Sequence, residues 1–150
     1  MIGFDTKYMI LALSEAKKAL TQNEIPIAAV IVDENGELLS SAYNQVETLK
    51  DTSAHAEMLA IKKASALHGS KFLYKCDIYI TLEPCIMCLA AICLARIGRI
   101  FYAASNDKYG AFTSNIKLFS YPQSYHQPLV YSNIMEKESL ELLQSFFKDL

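Results

Sequence analysis

The sequence predicts a three-layer α/β/α sandwich built around a mixed, five-stranded central sheet. Three observations predict it. Segments with amphipathic helical spacing alternate with short runs rich in β-branched residues. The first two of those runs are joined by Asp33-Glu34-Asn35-Gly36, a hairpin signal that makes one pair antiparallel. The later runs are separated by helix-length segments, as parallel crossovers require.

Tyr8, Leu11, Ala12, Glu15, Ala16 and Ala19 share one helical face, with Asp5 or Thr6 placed to cap, so the chain opens on a helix that ends near Thr21 to Glu24. Ile25-Pro26-Ile27-Ala28-Ala29-Val30-Ile31-Val32 is too continuously apolar for an alternating surface strand and reads as a buried central strand starting just after Pro26. The Asn35-Gly36 pair supplies the positive φ angles of a tight turn, and Glu37 to Ala42 returns as the partner strand. Residues 43–53 are polar and irregular. Ala54 to His68 resumes helical spacing and stops at Gly69, a good left-handed terminator. A strand follows at Asp77 to Leu82, then a helix from Pro84, whose missing N–H costs nothing in a first turn, to about Ile97. Arg99 to Ala103 is a further strand. Ala104 to Gln127 is a long loop region with a short helix around Ile116 to Phe119, and loops of that length in compact domains usually carry function. Leu129 to Tyr131 is the fifth strand and Lys137 to Lys148 the closing helix, apolar through Leu140, Leu143, Phe146 and Phe147.

Repeats, low-complexity tracts and linkers are absent, so residues 1–150 are expected to form a single domain. With 52% hydrophobic and 20% charged residues at net charge −2, the chain carries too much apolar material to remain disordered. A pI near 5.9 lacks the basic excess that bulk phosphate binding needs, so any nucleic-acid contact has to be local and shape-driven. No apolar run approaches the roughly 18 residues of a membrane span. The start, Met1-Ile2-Gly3-Phe4-Asp5-Thr6-Lys7, lacks the features of a signal peptide, which makes the cytoplasm the expected location. In that reducing compartment the four Cys are expected as thiols or metal ligands.

The chemistry concentrates in two short motifs at two predicted helix starts, His55-Ala56-Glu57 and Pro84-Cys85-Ile86-Met87-Cys88. For a chain of this composition, both together are expected by chance about 10⁻⁴ times. One imidazole and two thiolates make three metal ligands, the number found in catalytic zinc sites, whereas a structural zinc wants a fourth. Cys85 and Cys88, three apart at a helix start, can converge on one point, and the helix N-terminus favours their thiolates. His55 and Glu57 lie about 200° apart on a helical wheel. A metal beyond the end of the helix axis is reachable from either side of the first turn, so the spacing does not separate them. Glu57 is then better placed to carry a proton to and from a zinc-activated water than to bind the metal. Two other readings stand beside this one: a Cys-x-x-Cys redox pair, which leaves His55 and Glu57 unexplained, and a structural zinc with Cys76 or Cys93 as fourth ligand. Cys93 lies about 140° around the helix from Cys88 and is expected in the core, as is Cys76. His68 suits a helix C-terminus and His126 a loop.

With these motifs the sequence resembles the cytidine deaminase superfamily, whose signature is His-x-Glu followed by Pro-Cys-x-x-Cys. Within it the resemblance is to the bacterial tRNA-specific adenosine deaminases. It is carried by residues 24–30, Tyr43-Asn44, Ser53-Ala54-His55-Ala56-Glu57, Thr81-Leu82-Glu83-Pro84-Cys85-Ile86-Met87-Cys88, Arg96-Ile97-Gly98-Arg99-Ile100, Lys108-Tyr109-Gly110-Ala111 and Phe146-Phe147. The resemblance implies the cytidine deaminase type of sandwich and Zn2+ held by His55, Cys85 and Cys88. It also implies hydrolytic deamination of adenosine to inosine at the wobble position of a tRNA anticodon, by hydroxide generated on the zinc with Glu57 as proton shuttle. Asn44, Ala56, Pro84, Asn106 and Phe147 are implied as substrate contacts, the tRNA anticodon stem-loop as partner, and a homodimer as the assembly. A deaminase of free guanine or cytosine is the same-chemistry alternative, and a structural-zinc binding module the non-enzymatic one. The chain departs from the family pattern at Asn106, where an Asp is usual, and at Ala28, where a Gly is usual.

Overall fold

The computed structural model describes residues 5–115, 117–120 and 126–148. The elements run α1 (Thr6–Thr21), β1 (Ala28–Val32), β2 (Leu38–Tyr43), α2 (Val46–Leu49), α3 (Ala56–His68), β3 (Asp77–Leu82), α4 (Ile86–Leu94), β4 (Arg99–Ala104), a 3₁₀ turn at Leu118–Ser120, β5 (Leu129–Tyr131) and α5 (Glu136–Lys148). The sheet order is β2-β1-β3-β4-β5. β1 pairs antiparallel with β2 and β3, while β3–β4 and β4–β5 are parallel. This is the mixed five-stranded sheet that the sequence predicts.

Strand residues alternate between the two faces, as the period of 2 requires. Ala29, Ile31, Ile78, Ile80, Ile100 and Tyr102 pack with α3 and α4. Val30, Val32, Tyr79, Phe101 and Ala103 face α1 through Tyr8, Met9, Ala12 and Leu13, with Leu142 of α5 packed alongside. Tyr79 and Phe101 stack at 4.6 Å across β3 and β4. At the start of the same strands Arg99 Nε donates to Asp77 Oδ1 at 2.7 Å, a buried ion pair that ties two register partners together. Asp5 caps α1, accepting the Lys7 N–H at 2.9 Å.

The structure departs from the sequence reading in several places. The β1–β2 turn is not a two-residue tight turn: Gly36 alone has positive φ (82°), and Asp33 Oδ1 accepts the N–H groups of Asn35 and Glu37, both at 2.9 Å. The extra residue is absorbed by a register shift between Ile31 and Val32. β1 starts at Ala28, two residues beyond Pro26. α3 and α4 start at Ala56 and Ile86, because His55 and Cys85 hold extended φ/ψ as N-cap residues. α4 ends at Leu94, three residues short of Ile97. Of the predicted Ile116 to Phe119 helix, Ile116 lies outside the described residues and the turn is centred further on, at Leu118–Ser120.

α2 is the element the sequence reading misses, and at four residues it is too short to show a period. It is held by a side chain from elsewhere. Glu24, buried just ahead of β1, accepts the Glu47 N–H at 3.1 Å and the Thr48 N–H at 2.6 Å.

The topology gathers one end of the sheet. β2, β3 and β4 finish there at Tyr43, Leu82 and Ala104, and antiparallel β1 begins there at Ala28. Binding clefts in such sheets form where the parallel strands end.

Burial raises the Glu24 carboxyl, but the Thr48 and Glu47 hydrogen bonds outweigh it and hold the group below its ordinary value of 4.5. The stability so gained is present above pH 4.5 and is lost as pH falls through the lower folded value. Glu24→Gln is expected to cost about 1–3 kcal/mol at pH 7. In melts across pH the gap from the parent should close towards acid, and a pH-independent gap would contradict the assignment.

Candidate active site

The sheet end opens into a cleft of about 1100 Å³ lined by residues from Asn23–Ile27, Asn44–Glu47, α3, the β3–α4 junction, the loop after β4, and Leu143, Phe146 and Phe147 of α5. At its floor the N-termini of α3 and α4 meet. His55 caps the first and Cys85 the second, and Cys88 lies one turn into α4. The His55 Nδ1 is 3.6 Å from Cys85 Sγ and 3.5 Å from Cys88 Sγ. All three donor atoms lie within 4.8 Å of one another. Tetrahedral zinc with bonds of about 2.05 Å to nitrogen and 2.3 Å to sulfur sets N and S about 3.55 Å apart. The donor set therefore fits zinc in both type and spacing.

Among the described residues this group has three members, and neither buried Cys76 nor buried Cys93 joins it. Burial pushes both of those thiols up to about 11, which suits inert core residues. That disfavours a four-ligand structural site. The motif pair behaves differently. The hydrogen bond from Cys88 outweighs burial and, with His55, holds the Cys85 thiol down to about 4. The same bond, together with burial, pushes Cys88 up. The two sulfurs thus part readily with one proton between them, and a metal displaces the second. His55 is raised, chiefly by its hydrogen bond to Cys85.

Glu57, only 4% exposed, lines the cleft beside the donor set but outside the ligand group. Burial lifts its carboxyl above the ordinary carboxylate range. A buried acid of that kind beside a metal site is suited to hold and pass a proton.

The other sequence-predicted residues divide. Asn44, Asn106 and Phe147 line the cleft. Asn44 Oδ1 accepts the Ala56 N–H at 3.1 Å and so ties β2 to the start of α3. Asn106 Oδ1 accepts the Tyr109 N–H at 3.1 Å within its own loop. Phe147 is 55% exposed and packs edge-on against Phe146. Ala56 and Pro84 are not among the lining residues: both sit behind the wall and contribute main-chain groups, Ala56 its N–H to Asn44 and Pro84 its carbonyl to the Ala111 N–H at 3.0 Å. His126 bonds the Ile97 carbonyl, with Nε2 at 2.6 Å, and His68 ends α3, so neither approaches the cluster.

Sequence reasoning missed two cleft residues with structural authority. Glu24 holds α2 in place. Glu83, quoted only as a letter of a matching motif, turns out to be buried in the wall with its carboxylate bonded into the loop after β4. A lone acidic residue within an apolar strand end was the available signal, since such residues are rarely fully buried without partners.

Comparison with known proteins agrees with this geometry. Residues 3–104 match the model of the cytidine and deoxycytidylate deaminase zinc-binding region. A tRNA-specific adenosine deaminase of Rickettsia bellii is 44% identical over 140 residues, covering 93% of this chain and 97% of that protein. A solved structure from work on A-to-I editing by tRNA:A34 deaminases at the transfer RNA wobble position superposes with a TM-score of 0.89 at 44% identity, covering 93% of this chain and all of that one. A guanine deaminase of Bacillus subtilis is 37% identical but covers 69% of this chain and 66% of its own, with a TM-score of 0.64. The paired helix tips, their three zinc donors and these likenesses together make the chain a member of the cytidine and deoxycytidylate deaminase family, in the branch of the tRNA-specific adenosine deaminases.

Proposed function

We propose that residues 1–150 act as a single zinc-dependent domain that deaminates adenosine to inosine at the wobble position of a tRNA anticodon stem-loop, as a homodimer in the cytoplasm. The observation that carries the chemistry is the His55, Cys85, Cys88 donor set with Glu57 buried beside it. Zinc held by His55, Cys85 and Cys88 would supply acidification of a water and hence a nucleophile at neutral pH. Glu57 takes a proton from the attacking water and passes it to the ring nitrogen next to the amine-bearing carbon; it then takes up the proton of the hydroxyl formed on that carbon and gives it to the departing amine, so that ammonia leaves and the oxygen stays.

The remaining residues position the base. Asn44 has its oxygen committed to Ala56, so it addresses the nucleoside through its Nδ2 donors. Phe147 and Asn106 line the cleft, while Ala56 and Pro84 act through the main chain behind it. A cleft of about 1100 Å³ exceeds what a free purine fills, which favours a flipped-out nucleotide with its flanking residues.

The homodimer rests on α4. Its sequence is wholly apolar and it leaves Ile86 and Leu94 exposed, Leu94 at 61%, on a helix that also lends Ile86 and Met87 to the cleft. A second copy covering that face would complete one wall of each site. The parent chain should sediment as a dimer and Leu94→Glu as a monomer; a monomeric parent refutes the assembly.

Two substitutions separate metal binding from proton transfer. Glu57→Ala should retain zinc while losing about 10²–10⁴-fold or more in turnover, and Cys88→Ser should lose zinc and melt at lower temperature. Normal activity in the first or unchanged metal content in the second would reject the assigned role.

The substrate is tested by incubating the protein with a tRNA anticodon stem-loop bearing a wobble adenosine, a matched DNA hairpin, guanine and cytosine, and measuring inosine and ammonia. Inosine in the RNA arm is expected. Ammonia from guanine or cytosine without any from RNA would overturn the substrate in favour of a free-base deaminase.

A further inference from the structure

The loop after β4 gives the cleft much of its wall through Ser105, Asn106, Asp107, Lys108, Tyr109 and Asn115, yet it has no secondary structure of its own beyond isolated turns and one bridge. It is organised around a single carboxylate. Glu83, 1% exposed, accepts the Asn106 N–H at 3.2 Å on Oε1. On Oε2 it accepts three successive N–H groups, Phe112 at 3.1 Å, Thr113 at 3.0 Å and Ser114 at 3.2 Å, and the Ser114 hydroxyl donates to Oε1. Consecutive main-chain N–H groups converging on one anion form a nest, and here its occupant is part of the chain.

The fit leaves no room for a side chain at the loop's closest approach. A Cβ on Gly110 would lie 2.6 Å from the Asn106 carbonyl oxygen and closer still to the Glu83 carboxylate. Gly110 also bridges to Cys85, and the Ala111 N–H bonds the Pro84 carbonyl. The residue that grips the substrate wall and the residue assigned to zinc are thus two apart on one strand end.

We propose that Glu83 is a positioning residue: it fixes the Ser105–Asn115 wall in register with the Pro84–Cys85 junction, so that the nucleotide is presented at a set distance from the metal. The inference deepens the deaminase reading and rests on it for its kinetic consequence. The loop's order is a separate and directly measurable claim. Glu83→Gln places an amide donor among N–H donors, Ser114→Ala removes one hydroxyl bond, and Gly110→Ala wedges the loop away without changing charge.

Three readouts are taken on the zinc-loaded chain. They are zinc content, the rate of trypsin cleavage after exposed Lys108, and kcat and KM on the RNA stem-loop. For Glu83→Gln and Gly110→Ala, cleavage after Lys108 should rise about tenfold or more and KM by about tenfold, with kcat changed far less and zinc retained. Ser114→Ala should move the same way to a smaller degree. Parent-like cleavage and KM in all three variants overturn the proposal, and so does loss of zinc from a folded Glu83→Gln chain, which would make the residue a support for the metal junction alone. If Glu83→Gln does not fold, Gly110→Ala and Ser114→Ala decide on the same readouts. If no RNA is turned over by the parent, the cleavage rates still test the grip, so the two readings fail separately.

Discussion

Everything in this molecule depends on bringing one imidazole nitrogen to about the same 3.5 Å from two sulfurs that lie 30 and 33 residues away in sequence. A loop could not hold such a separation reliably, because the entropy of ordering it would oppose the contact. The fold solves this with two helix starts. α3 follows β2 through α2 and the Asn44 clasp, and α4 follows β3 through Glu83-Pro84-Cys85. Both helices pack on the same face of the sheet, so their N-termini arrive at the same end. The donors are cap residues or lie within the first turn, where main-chain dipoles favour thiolate character.

Around that fixed point the cleft is built from segments with little intrinsic structure, and buried carboxylates hold them. Glu24 fastens α2 to the segment ahead of β1, and Glu83 fastens the loop after β4. In both cases the acceptors are charged and the donors are mainly backbone N–H groups, which makes these contacts stronger than neutral hydrogen bonds. Asp77 and Arg99 do comparable work in the sheet, where the charge is matched by a side chain instead.

What was legible in the sequence follows from the range of the physics involved. Helix and strand periods are local, so the five strands and four long helices could be read, and so could the metal ligands, whose spacing and chemistry are stated in the motif itself. The helix starts were misread by two residues because a cap is defined by φ/ψ and donor geometry, which residue type alone does not specify at His55 and Cys85. α2 escaped because its support comes from Glu24, more than twenty residues earlier. Glu83 and Gly110 escaped for a related reason: a lone acid at a strand end signals that it needs partners without naming them, and both residues acquire meaning only when the loop folds over the strand end. Asn44 was found, but the commitment of its oxygen to Ala56 was not visible without the geometry.

Holding a loop from the inside has an evolutionary side. Because the backbone path from Ser105 to Asn115 is set by one interior anion, by main-chain groups and by the Asn106 and Ser114 side chains, outward side chains such as Tyr109, 62% exposed, contribute little to that path. They can be exchanged one at a time without the contour shifting. A chain built this way can drift toward new recognition chemistry at its rim while the reactive centre beneath keeps its geometry, which separates what such a protein may safely vary from what it must retain.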